Sequence, residues 1–457
     1  MNSQNNHYKA SQYIHTGSAP SDLKITDIRF ADLWNAPMHC ILIKIYTNQG
    51  IIGLGEARDI GDKRYAAMLK SRLIGENPCN VDRIFRKIKQ FGGQSRQGGG
   101  VSGIEIALWD LAGKAYGVPV YQLLGGKFRD KIRLYCDTDI EGKNDGRKMG
   151  MALKSRMEKG FTMLKMDLGI NLLYEIPGAL NGPADYIVQL KEAESNPGFY
   201  TGSIKERNKT QNAVEIANID HSRTCIQITQ KGMEWLENYV KEAREIVGYE
   251  IPLAIDHIGH IGLSECIKLG QMLEKYNICW MEDALPWQYT QQYAILRRSI
   301  HVPIATGEDI YLKENFKTLL EAGGVSYIHP DVLTAGGILE TKKIGDLAQE
   351  YGVGMLLHMA ETPVGCLAAV HCSAATENAI ALEFHSNDIS WWENLVNCSF
   401  KPMIKNGFIT VPNTPGLGIE SLNDDVILSH IDENKIPGLW ESTNEWNDTY
   451  SHDRLWS

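Results

Sequence analysis

The sequence predicts an α/β fold in which a closed barrel of parallel strands and helices follows a smaller α+β block. Three observations carry this expectation. Short apolar runs at 251–256, 278–282, 302–308, 325–331, 353–358 and 379–383 end on Asp256, Glu282, Glu308, Asp331, His358 and Glu383. The steps between these endings are 26, 26, 23, 27 and 25 residues, and about 25 residues is one strand, one helix and two loops. The runs lack polar alternation, as strands of a parallel sheet buried on both faces do. Ahead of them, residues 23–56 alternate and turn like an antiparallel meander and lead into helical text.

In such a barrel the residues that end the strands converge on one mouth. Three carboxylates, then an aspartate, a histidine and a glutamate, therefore face one another. One such acid reads equally well as a helix cap or a surface charge, but solvent-facing ends would not keep one register through six units. The pattern predicts a metal site beside an acid/base pair.

Composition sets the outer bounds. A chain of 457 residues is long enough for two domains and a large core. A net charge of −10 argues against a nucleic-acid partner, while a bound cation can still draw in a small anion. No run approaches the roughly 18 apolar residues of a membrane span, so no membrane partner is expected. The polar opening Met1-Asn2-Ser3-Gln4 lacks a charged-then-apolar signal pattern. Nine cysteines, odd in number and without C-x-x-C spacing, read as reduced thiols of a cytoplasmic protein.

In chain order, residues 1–22 form a polar arm. The α+β block spans 23–130, with strands near 25–30, 40–46 and 51–56, the last two joined at Asn48-Gln49-Gly50. Helical text follows at 63–73, 80–91 and 101–116. Gln97-Gly98-Gly99-Gly100 lacks the Gly-Lys-Ser/Thr ending of a phosphate loop and reads as a turn before the third helix. The barrel spans 131–395, opening with a strand at 132–136, a helix at 146–159 and a strand at 161–167. Period two places Lys165 and Asp167 on one face, assigned to the interior; a plain Lys–Asp pair is the structural alternative. The next helix is at 230–247, so about 168–226 is an enlarged loop, broken by Pro177-Gly178, Asn181-Gly182-Pro183 and Pro197-Gly198. Loops this long are uncommon and tend to be functional. A lid or a subunit contact is expected, and with it a homo-oligomer. Residues 396–457 are expected to pack back on the first domain.

The three spaced acids, with Ile104-Glu105-Ile106-Ala107-Leu108-Trp109-Asp110-Leu111-Ala112-Gly113-Lys114 and Tyr121-Gln122-Leu123-Leu124-Gly125-Gly126, resemble the enolase superfamily, mandelate racemase subgroup, over residues 23–418. The resemblance implies an α+β N-terminal capping domain on a modified TIM barrel, (β/α)7β. It implies Mg2+ held by Asp256, Glu282 and Glu308, and abstraction of the proton α to a carboxylate to give a metal-stabilised enediolate. Asp331 and His358 match the family's Asp–His dyad, and Glu383 its eighth-strand acid. Lys165 matches the first lysine of a Lys-x-Lys pair whose second position here is Asp167. Acid sugar dehydratases of the galactonate and mannonate types carry Asp-x-His at the first ligand, whereas Asp256-His257-Ile258 has isoleucine there.

The chemistry accounts for these residue types. A hard cation on oxygen ligands holds the charge created when a weakly acidic α-proton leaves. His358 is the candidate base, with Asp331 behind it fixing the tautomer. His260 stands in the loop after Asp256, where Gly259 permits a turn back over the mouth. It is a candidate acid for a leaving hydroxyl; the alternative is a residue that orients the metal ligands or caps the next helix. His257 points away from Asp256 if the strand continues, a structural role. Glu383 is expected to be protonated by surrounding anions, Lys165 to steady a substrate carboxylate, and Trp34 to wall the pocket. Asp167 cannot act as a cationic electrophile, which disfavours two-base racemisation; it pairs with Lys165 or binds a substrate hydroxyl. The expected activity is dehydration of a small anionic sugar acid, an aldonate or relative, to a 2-keto-3-deoxy acid. An epimerase or cycloisomerase sharing the enediolate step is the alternative, and a non-catalytic binding protein on the same scaffold is the reading of another class.

Overall fold

The computed structural model describes residues 18–140, 142, 144–183, 187, 226–259, 261–431 and 439–449. Strands β1 (Ile25–Leu33), β2 (Cys40–Thr47) and β3 (Ile52–Ala57) form an antiparallel sheet in sequence order. Helix α1 (Gly98–Tyr116) lies across it and is buried along almost its whole length, because the sheet covers one side and the barrel another.

The expected turn at residues 97–100 is a correction. Gly98, Gly99 and Gly100 belong to the first turn of α1. A Cβ on Gly99 would lie 2.4 Å from the Arg58 nitrogen, and one on Gly100 2.3 Å from the Tyr65 carbonyl carbon. The glycines serve close backbone approach, at a cost in helix propensity of about 1 kcal/mol each.

Eight parallel strands follow: β4 (Lys131–Thr138), β5 (Leu164–Asp167), β6 (Leu253–Asp256), β7 (Ile278–Glu282), β8 (Ile304–Thr306), β9 (Tyr327–Ile328), β10 (Gly354–Leu357) and β11 (Ala379–Phe384). Each pairs with the next, and β11 closes on β4 with Glu383 opposite Tyr135. Among the described residues seven longer helices alternate with them: α2 (Gly146–Glu158), α3 (Gln230–Val247), α4 (Leu263–Leu273), α5 (Thr290–Ser299), α6 (Lys313–Glu321), α7 (Ile338–Glu350) and α8 (Pro363–Ala375). The fold is thus a modified (β/α)7β barrel with an N-terminal antiparallel sheet domain.

The barrel's inner plug is Tyr135, Met163, Ala254, Trp280, Ala305, Leu356 and Ala381. Strand side chains alternate faces, so residues two further along also face inward: Asp137, Lys165, Asp256, Glu282, His358 and Glu383. An apolar layer therefore supports a polar one, and this ordering builds the mouth.

After the barrel, Phe408–Thr410 runs antiparallel to the start of β4. The chain then returns to the cap, where the Trp34 amide donates to the His430 carbonyl at 2.9 Å and Lys70 Nζ to Thr443 Oγ1 at 2.8 Å. Among the described residues no helix is long and apolar enough to cross a membrane, and the eight described cysteines are free thiols.

Candidate active site

Lys165 stands at the centre of the polar layer. Its Nζ donates to Asp256 Oδ2 at 2.7 Å and Glu282 Oε1 at 2.9 Å, and lies 2.5 Å from Glu383 Oε1. Burial alone would discharge this lysine, but the three carboxylates outweigh it and hold the ammonium well above its usual range. Lys165 is a fixed cation, unsuited to act as a base. Asp167 lies level with Asp256 on the neighbouring strand and is half-buried.

His358 and Asp331 meet with Nδ1 2.6 Å from Oδ2. That contact directs Nε2 toward Glu308 Oε2 at 3.1 Å and Glu383 Oε2 at 3.9 Å. Asp331 is also held by the Leu333 amide at 2.5 Å and by Arg58. Arg58 enters from the end of β3, fully buried, and its guanidinium reaches Asp331, Glu361 at 3.0 Å and Glu308 at 3.3 Å. Burial raises the Asp331 carboxyl, but Arg58 and His358 hold it down to about 2.

Glu383 is a correction. Its surroundings are cationic: Lys165, His385 Nε2 at 3.2 Å and His329 Nε2 at 3.5 Å, with the Tyr135 hydroxyl donating at 3.1 Å. Against burial, these groups hold its carboxyl well below the usual range, so it is ionised and accepts hydrogen bonds. His329 also touches Glu282 at 3.1 Å.

Beside the acids a cavity of about 470 Å3 opens among the loops after β6, β7 and β8. Asp256, Glu308 and Asp283 line it, and Ile170, Asn171 and Tyr174 from the base of the enlarged loop cover it. The strand does not continue past Asp256, so the condition under which His257 would point away is not met. The chain leaves the strand at His257, whose φ is 54°, and the ring lines the cavity with Nε2 3.9 Å from Asp256 Oδ2. Gly259 makes the expected turn, with φ at 91°; His260 lies outside the described residues. Trp34 is not among the cavity's lining residues; its indole packs 5.2 Å from the His39 ring.

The donor set fits a hard divalent cation. Ligand atoms of Glu282, Glu308 and His329 lie within 4.8 Å of one another, and Lys165 joins Asp256 to Glu282. Asp283 Oδ1 is buried without a hydrogen-bond partner. Burial and the charges of Glu308, Glu282 and Asp256 push this carboxyl well up. Negative charge is thus in excess beside the acid trio, the condition a bound cation relieves.

Sequence reasoning missed Arg58, Asp283, His329, His385 and Asp137. His329 and His385 carried a legible signal, each two residues from a ladder position. Arg58 carried none, since its contact with Asp331 spans 273 residues.

The family described as "Enolase C-terminal domain-like" matches residues 148–426, and the mandelate racemase / muconate lactonizing enzyme N-terminal domain matches 29–125. By these matches, its barrel and its cap, the chain belongs to the enolase superfamily, in the mandelate racemase and muconate lactonizing enzyme group. It is 32% identical over 420 residues to the D-xylonate dehydratase of Haloferax volcanii, covering 90% of each chain. It is 28% identical to the D-galactonate dehydratase of Ralstonia pickettii, over 85% of this chain and 90% of that one. A mandelate racemase/muconate lactonizing enzyme-like protein from Rubrobacter xylanophilus superposes with a TM-score of 0.74 at 28% identity, over 90% of this chain and 98% of that one.

Proposed function

We propose that the protein is a magnesium-dependent hydro-lyase that converts a small sugar acid of the aldonate type to a 2-keto-3-deoxy acid. The observation that carries this reading is the His358–Asp331 pair at 2.6 Å, set at one mouth with Asp256, Glu282 and Glu308. Likeness to two sugar acid dehydratases supports the substrate class. Asp256, Glu282 and Glu308 would hold Mg2+, which would supply positive charge for the substrate carboxylate and for the charge that develops at α-proton loss.

His358 Nε2 takes the α-proton while Asp331 holds Nδ1 and stabilises the imidazolium. Lys165, permanently charged, steadies a carboxylate oxygen. Ionised Glu383 positions Lys165 and His385. Asp167 accepts from a substrate hydroxyl. His260 is the alternative acid for the leaving hydroxyl. The reading includes a cytoplasmic homo-oligomer divided into a cap at 23–130, a barrel at 131–395 and a returning segment at 396–457, the free thiols supporting the reducing setting.

The test is incubation with D-xylonate, D-galactonate and a wider aldonate set in D2O with magnesium. A 2-keto-3-deoxy acid is expected. A product that keeps all its oxygen and carries solvent deuterium at Cα identifies an isomerase and overturns the reading.

A further inference from the structure

Dehydration needs an acid as well as a base, because hydroxide is a poor leaving group. The polar layer contains a second histidine–aspartate pair. Asp137 is inward because Tyr135 is, and His385 because Ala381 and Glu383 are. Asp137 stands on β4 and His385 directly after β11, its paired neighbour, with Phe384 opposite Cys136.

His385 Nδ1 lies 3.3 Å from Asp137 Oδ2, and its Nε2 lies 3.2 Å from Glu383 Oε1. His358 is arranged alike, with Nδ1 on Asp331 and Nε2 toward Glu383 Oε2. Two histidines, each backed by an aspartate from the neighbouring strand, thus flank one carboxylate, their ring centroids 5.8 Å apart. Asp137 Oδ1 is buried and makes no hydrogen bond, and His385 Nε2 is held only by its ion-pair contact with Glu383 Oε1. Buried polar groups are nearly always partnered, so the open Asp137 Oδ1 beside this single ion-pair contact marks where a further polar group is received.

We infer that His385, held by Asp137, is the general acid that protonates the departing β-hydroxyl. The inference rests on the dehydratase reading. Burial lowers the proton affinity of this imidazole, but Asp137 and Glu383 raise it to about 9, so it carries the proton at neutral pH. Other candidates fit less well. Lys165 is bound to three carboxylates and holds its proton too tightly, and His329 is fully buried against Tyr135 and Glu282.

In the step itself the α-C–H bond breaks and its proton goes to His358 Nε2. The electron pair is first held on the substrate carboxylate as an enediolate. It then returns to form the double bond to the β-carbon as the β-C–O bond breaks, and the His385 Nε2 proton leaves with the oxygen as water. The enol then becomes the ketone, its β-carbon gaining a proton and its hydroxyl losing one, which restores both histidines.

The experiment compares wild type, His385→Asn, Asp137→Asn and His260→Asn as magnesium-loaded full chains, each checked by circular dichroism. Product formation and α-proton exchange in D2O are read separately on the best aldonate. His385→Asn is expected to lose product by about 10²–10⁴-fold while keeping α-proton exchange within a few-fold. Asp137→Asn should show the same split, less severely. The inference is overturned if folded His385→Asn turns over normally, or loses exchange together with product. It also falls if only His260→Asn shows the split, which would place the acid in the loop after β6. Wild type giving neither product nor exchange with any aldonate would instead refute the dehydratase reading itself.

Discussion

At the scale of single residues, His358 and the carboxylates of β6 to β8 do separable work. His358→Asn removes the group whose Nε2 faces the mouth, so both turnover and α-proton exchange should fall at least 10³-fold, about the range of general-base catalysis. Glu282→Gln and Glu308→Gln should leave the barrel folded and weaken magnesium binding, read by calorimetry; unchanged affinity in both would disprove the ligand assignment. Arg58 predicts another signature. It is the counter-charge for Asp331, Glu361 and Glu308, and breaking a buried pair by deleting one partner costs about 3–5 kcal/mol. Arg58→Ala should therefore lower the melting temperature whether or not magnesium is present. A stability equal to wild type in urea would remove Arg58 from this role.

At the scale of elements, the cap grips the barrel through helix N-termini, whose first amides lack helical partners. Glu105 of α1 accepts from the Ile338 and Leu339 amides at 2.7 and 3.1 Å, at the start of α7. Glu56 at the end of β3 accepts from the Thr362 and Gly365 amides at 3.0 and 2.9 Å, at the start of α8. Replacing either by alanine leaves buried donors unpaired and should cost about 1–3 kcal/mol, measured by urea denaturation. Asp32 of β1 predicts a pH effect. Burial alone would raise its carboxyl, but His39 and Lys63 hold it down to about 2 from an ordinary 3.8. A depressed carboxyl binds fewer protons folded than unfolded, so its contribution is complete above about pH 4 and is lost as pH falls toward 2. The size is about 2 kcal/mol. Asp32→Asn should be less stable at neutral pH and should lose this part of the acid dependence.

At the scale of the molecule, the enlarged loop after β5 meets the mouth at its base, where Ile170, Asn171 and Tyr174 line the cavity. Replacing 184–225 with a short Gly/Ser turn should spare the barrel, because α3 keeps its own N-cap at Thr229. We expect KM to rise at least about tenfold, 1.4 kcal/mol of binding, or the solution mass to change. Unaltered kinetics and mass together would show the segment to be dispensable.

The sequence by itself determined the barrel and most of its mouth, because strand alternation is local. Once Ala254, Trp280, Leu356 and Ala381 face inward, Asp256, Glu282, His358 and Glu383 must follow two residues on, whatever the rest of the chain does. The same arithmetic held Lys165 inward. Only the tertiary structure decided what local order cannot carry. The Glu383 carboxyl is held well below its usual range because Lys165 and His329 reach it from other strand ends and His385 from its own, and a charge state is set by the whole surrounding field. Arg58 joins the dyad by the docking of a separate domain. His257 turns into the cavity because the strand ends at Asp256 and the backbone at His257 takes a positive φ of 54°. Gly98, Gly99 and Gly100 are helix because the backbones of Arg58 and Tyr65 press against them. Periodicity belongs to neighbours in sequence, whereas charge, docking and close approach belong to neighbours in space.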